Sequence, residues 1–136
     1  MPFEITNQGE FFFLRLFGVL TRQDLLGTAA EAEVVEDTVP IGMNWAIDVT
    51  SVESFEIDFP TVLSVAERRR LRKSRSSIKS AIIARKPIEV GFARMFQALT
   101  DNPQTEIRIV KSLQEAKNWF AEDAPLARPP ADRPGS

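Results

Sequence analysis

The chain of 136 residues contains no cysteine, no histidine and no tyrosine. The first two absences remove Ser-His-Asp and Cys-His catalysis and every thiolate or imidazole zinc site. The third removes a phenolic acid. Without cysteine there is also no disulfide framework to argue for export. Glycine is scarce. The six stand at positions 9, 18, 27, 42, 91 and 135, so neither a G-x-G-x-x-G turn nor a P-loop can be written, and no cofactor is expected. No apolar run approaches the length of a membrane span. The N-terminal Met1-Pro2-Phe3-Glu4 has no basic segment followed by an apolar one, so the expected location is the cytoplasm. An enzyme made from this sequence would have to run on carboxylates, lysine, arginine, serine or threonine alone. The expectation is a protein that is not an enzyme.

What is present is an ordinary globular balance, 43% hydrophobic and 26% charged, sufficient for one core in one domain. The net charge is −2, but residues 1–58 hold eleven acids and two bases, and residues 68–86 hold nine bases and no acid. Such asymmetry bears on partners and self-association more than on fold.

Along the chain, Phe3–Thr6 alternates as a short strand, Asn7-Gln8-Gly9 is a turn signal, and Phe11–Phe17 reads as a strand covered on both faces. Thr21 with Asp24 opens a helix as a capping box. Trp45–Val49 is the next strand, and residues 50–57 read as a loop or a loop with a short extended piece. Asp58-Phe59-Pro60 is an N-cap followed by proline in the first turn. Lys79–Ala84 is a buried-type strand, and Pro87 opens a helix in which Ile88, Phe92, Met95, Phe96 and Leu99 recur at helical spacing, with Phe92, Met95, Phe96 and Leu99 read as core. Glu106–Val110 is the last strand, and Ser112 with Glu115 caps a final helix. The order β-β-α-β-α-β-α-β-α predicts an α/β fold. A β-hairpin feeds a mostly parallel sheet of four to five strands, with about four helices and an antiparallel first strand. Residues 1–123 form the expected domain. Residues 124–136, with four prolines, read as a tail that does not fold.

The stretches Val90–Leu99, Ile107–Val110 and Ser112–Phe120, with Phe13–Thr21 earlier, resemble the SpoIIAA-like family, a relative of STAS domains and of the lipid-binding Sec14 (CRAL-TRIO) fold. The resemblance covers about residues 3–122. It implies successive βα units around a four- or five-stranded sheet and implies no activity. STAS regulators carry a D-S-S-G-type segment with an acceptor serine at a helix start. Phe55–Thr61 occupies that region here without the serine or the glycine, and Thr61 is the nearest hydroxyl, so the phospho-switch of those regulators does not carry over.

The conspicuous candidate site is the basic run of Arg68, Arg69, Arg72, Lys73 and Arg75, either a solvated helix end favoured by the dipole or a binder of anions or an acidic partner. No aromatic residue interleaves it, so no specific nucleic-acid binding is expected. Arg85 and Lys86 precede a helix start and could hold an anion. Asp48, Asp58 and Thr61 fall where open α/β sheets place ligands. Carboxylates Glu31, Glu33, Glu36 and Asp37 read as solvated charge. Two functional classes stay open. One is a non-enzymatic interaction or regulatory module of STAS-like type, with a protein partner or itself as a homodimer. The alternative is a small carrier of an apolar or anionic, lipid-like ligand. A deep apolar pocket under the helices would favour the carrier; a filled core with opposed exposed charge patches would favour the module.

Overall fold

The computed structural model describes residues 3–40, 42–72 and 77–122. The expected tail and two residues of the basic run, Lys73 and Arg75, lie outside the described residues. In chain order the elements are β1 (Phe3–Asn7), β2 (Phe11–Thr21), α1 (Arg22–Glu36), β3 (Asn44–Glu56), α2 (Phe59–Leu71), β4 (Ile78–Ile83), α3 (Pro87–Thr100), β5 (Thr105–Val110) and α4 (Leu113–Glu122). They form a five-stranded sheet in sequential order, β1-β2-β3-β4-β5. β1 runs antiparallel to β2, and every later pairing is parallel, as the element order implied.

Local chemistry sets the boundaries. Gly9 at φ +95° turns the hairpin, and the Asn7 side chain accepts its N–H. Thr21 and Asp24 exchange both bonds of a capping box at the start of α1. Asp58 caps α2 by accepting the Thr61 N–H. Glu89 turns back to accept the Arg85 and Lys86 N–H groups ahead of α3. At α4, Ser112 accepts the Glu115 N–H while the Glu115 carboxylate takes the N–H of Lys111, one residue earlier than a reciprocal box would. Asp101, in the left-handed region at φ 39°, ends α3.

One segment differs from the sequence expectation. β3 does not stop at Val49 but continues to Glu56, paired with β2 to its end. Register shifts after Arg15 and Gly18 break the period-two alternation, so Val49 and Val52 both face the core, and the polar residues between them resemble a loop. Ile88, at helical spacing with the core-facing Phe92, is 65% exposed in the first turn of α3.

Because the βα units step across the sheet in one direction with one crossover hand, helices α1, α2 and α3 fall on the same face. They cover Phe12, Leu14, Leu16, Trp45, Ile78 and Ile82. α4 takes the other face, where Ala116 and Trp119 pack on Ala46, Ala81, Ile83 and Val110. The buried Lys79 on that face donates to the Trp119 carbonyl at 2.6 Å and stands 4.9 Å from its ring, tying the end of α4 to the sheet.

Candidate functional site

A cavity of about 80 Å³ lies between the sheet and helices α1–α3. Its floor is made by two rows of neighbouring residues on adjacent strands, Trp45–Ser80–Ile107 and Leu14–Ile47–Ile82. Its roof is Ala29 and Ala32 of α1, Val65 and Arg69 of α2, and Phe92 and Phe96 of α3. The space follows from side-chain size. Ser80 sits in β4 where its same-face neighbours are Ile78 and Ile82, and α1 turns alanines toward it, while Trp45, Phe92 and Phe96 hold the layers apart. The lining is apolar except for Arg69 and four hydroxyls. Thr28 and Thr100 return their hydroxyls to Asp24 O and Phe96 O, both at 2.7 Å. An open depression lined by Gln97, Asp101, Asn102 and Pro103 shares Thr105 and Ile107 with the cavity. There Gln97 bridges from α3 to the Ile107 carbonyl at 2.7 Å.

Beside the cavity, α1 and α2 are joined by charge. The Arg69 guanidinium holds Glu36 with two bonds, 3.0 and 2.8 Å. Arg72 donates to Glu36 at 2.8 Å and to Asp37 at 2.9 Å, and Arg68 donates to both oxygens of Glu33. The indole N–H of Trp45 donates to Glu36 at 2.7 Å. Glu36 is only 14% exposed. Burial by itself would raise its carboxyl, but the bonds and charge of Arg69, the Trp45 N–H and the charge of Arg72 outweigh burial and hold it below the usual carboxylate range. The described part of the basic run is therefore engaged within the molecule. The carboxylates Glu33, Glu36 and Asp37, expected to be solvated, are its partners.

The other sequence candidates are also spoken for locally. Asp48 accepts the Thr50 N–H and hydroxyl at 2.8 and 2.7 Å, an Asx turn of its own strand. The Asp58 carboxyl accepts the Thr61 hydroxyl at 2.6 Å, and that bond with the Thr61 N–H holds it below the usual range. Thr61 is 2% exposed, so the nearest hydroxyl to the STAS acceptor position is buried. The N–H groups that an anion would use at Arg85 and Lys86 are taken by the buried carboxylate of Glu89. The Arg85 side chain donates to the Lys111 carbonyl.

The structure thus gathers Arg68, Arg69 and Arg72 at one end of the α1–α2 pair and leaves Asp48, Asp58, Arg85 and Lys86 apart from the cavity. Sequence reasoning missed Ser80 and the alanines of α1 as cavity formers. The available signal was a lone hydroxyl between Ile78 and Ile82 on the core-facing side of β4.

Among solved structures, the chain is similar to the crystal structure of an uncharacterized protein of the DUF3478 family from Shewanella loihica PV-4, which has a SpoIIAA-like fold. The identity is 15%, the TM-score is 0.57, and the match covers 86% of this chain and 90% of that chain. No family model and no curated protein matches the sequence. At this identity the likeness establishes the fold, which is SpoIIAA-like, as the sequence resemblance implied. Among the described residues no helix is long and apolar enough to cross a membrane.

Proposed function

We propose that this chain is a non-enzymatic binding module in which the SpoIIAA-like fold holds a small apolar ligand between its sheet and helices α1–α3. The observation that carries this reading is the cavity of about 80 Å³, floored and roofed by side chains of one hydrophobic face. Interiors are normally packed to crystal density, and a space lined by apolar groups gives up dispersion contacts that a ligand restores. Among the described residues the lining contains no carboxylate, and none of them supplies a general base there. Among the described residues of the basic run, Arg68, Arg69 and Arg72 are joined to Glu33, Glu36 and Asp37 between α1 and α2, which weakens the support for a charge-driven interaction module.

Xenon is the direct probe, since it needs only an apolar space. Under xenon pressure, amide and methyl shifts should move for Ala29, Ala32, Ile82 and Phe92 and stay still for Ala116 and Trp119 on the other face. Ser80→Val, which takes up part of the space, should weaken the response and raise stability by about 1 kcal/mol. Shifts scattered over both faces, or none at saturating pressure, would refute the reading.

A second reading, a surface that docks a protein, is favoured by one observation. Phe59 and Ile88 are more than half exposed in the first turns of α2 and α3, at the end of the molecule where the parallel strands finish. Loss of a co-purifying partner in Phe59→Ser/Ile88→Ser protein, with xenon binding intact, would support it.

A further inference from the structure

The cavity is apolar but not uniformly so, and its polar atoms are not equivalent. Ser80 is 5% exposed and lies at the centre of the floor, between Trp45 and Ile107. Its hydroxyl has no hydrogen-bond partner among the described residues, whereas Thr28 and Thr100 on the same lining are satisfied by their own helices. Thr105, where the cavity meets the outer depression, likewise has no partner for its hydroxyl among the described residues. Arg69 gives both terminal nitrogens to Glu36, and its Nε–H has no acceptor among the described residues. A buried hydroxyl left unpaired costs on the order of 1–3 kcal/mol. Among the described residues, the lining therefore carries unused donors and no carboxylate to receive them.

Charge narrows the ligand further. Arg69 is already neutralised by a bidentate carboxylate, so an anionic ligand would enter without a counter-charge, and a cationic one would meet no acid on the wall. Either would leave an uncompensated charge in a low-dielectric space, at a cost of several kcal/mol. Size sets the last limit. A volume of about 80 Å³ is roughly half of the ~150 Å³ cavity that takes benzene, so the ligand is smaller than the six carbons of benzene.

Resting on the cavity reading above, we infer that the ligand is a small uncharged molecule with short alkyl arms and one hydrogen-bond acceptor, a ketone or ester carbonyl in chemical class, and that Ser80 holds the acceptor. The alkyl arms lie against Leu14, Ile82, Phe92 and Phe96. The hydroxyl of Ser80 donates to the carbonyl oxygen, and the cluster of Glu36 and Arg69 stays closed beside it.

The experiment is a thermodynamic cycle. The probes are 2-butanone and its isosteric alkene, 2-methyl-1-butene, each titrated into wild type and Ser80→Ala by amide shifts. Comparing the pair removes the difference in their hydration, because that difference is the same for both proteins. Ser80→Ala should weaken 2-butanone about tenfold, the equivalent of one hydrogen bond of about 1.4 kcal/mol, and leave the alkene unchanged. Butyrate should bind wild type more weakly than 2-butanone. Equal changes for ketone and alkene, no change in either, or tighter binding of butyrate would each overturn the inference while the cavity reading stands. Failure of every probe, xenon included, would overturn the cavity reading itself.

Discussion

Glu36 carries four hydrogen bonds on one carboxylate, from Trp45, twice from Arg69, and from Arg72. Removing one partner of a buried pair leaves the other charge uncompensated, which is why breaking such a pair costs more than the pair itself contributes. Glu36→Gln is expected to destabilise the fold by about 3 kcal/mol at neutral pH. The pH dependence follows from the direction of the shift. The folded carboxyl lies below its ordinary value of 4.5, so its contribution is complete above that value and is lost as pH falls through the lowered folded value. Urea midpoints of wild type and Glu36→Gln should be well separated at neutral pH and converge on acidification. A separation that persists unchanged into strong acid would show that the ionised carboxylate is not the source.

At the scale of elements, α2 is held at both ends by residues outside it. Asp58 satisfies its first turn. Its last turn is satisfied from across the structure, where the Asn102 side chain donates to the carbonyls of Arg69 and Arg72 at 2.8 and 3.0 Å and accepts the Gln104 N–H. Asn102, in the α3–β5 connection, is 9% exposed, so these bonds are made largely out of water. Without them the Arg69 carbonyl keeps only the long 3.3 Å bond from the Arg72 N–H, because Arg72 leaves the helix with extended backbone. Asn102→Ala should cost about 2 kcal/mol. Hydrogen exchange should quicken at Arg68–Arg72 before it does in β3 or β4. Uniform acceleration across the sheet would mean that Asn102 acts through global stability and not through the helix end.

Over the whole molecule, the acidic first half and the basic segment meet because α1 and α2 lie side by side on one face. Their opposed charges close within the chain through Glu33, Glu36 and Asp37. Self-association, for which the sequence offered the charge asymmetry, now has an apolar ground. α4 lies over β3, β4 and β5, and on the remainder of that face Phe13 and Phe17 are half-buried, with the Arg15 guanidinium 4.9 Å above the Phe17 ring. Exposed ion pairs are screened over about 8 Å at physiological ionic strength, whereas apolar burial is not. Sedimentation is therefore expected to give the same oligomeric state at low and high salt, with Phe17→Ser shifting the population toward monomer. An assembly that dissociates as salt rises would place the contact on charge after all.

What the sequence determined by itself is whatever depends on neighbours within a turn or a strand. The caps at Thr21, Asp58 and Ser112, the helix start at Pro87, the strand cores at Phe11–Phe17 and Lys79–Ala84, and the alternation that implies a parallel sheet all act through local geometry. They need no tertiary partner to be read. The tertiary structure decided the rest. Arg69 and Glu36 are 33 residues apart and meet only because two crossover helices share one face. The second half of β3 is a strand only because β2 runs beside it through two register shifts. Ile88 has helical spacing with Phe92 but is 65% exposed in the first turn of α3, so periodicity alone does not decide its burial. Ser80 reads as a small interruption in an apolar strand. That it floors a cavity depends on the alanines of α1 and the aromatics of α3 arriving opposite it, and packing of that kind is a property of three layers together.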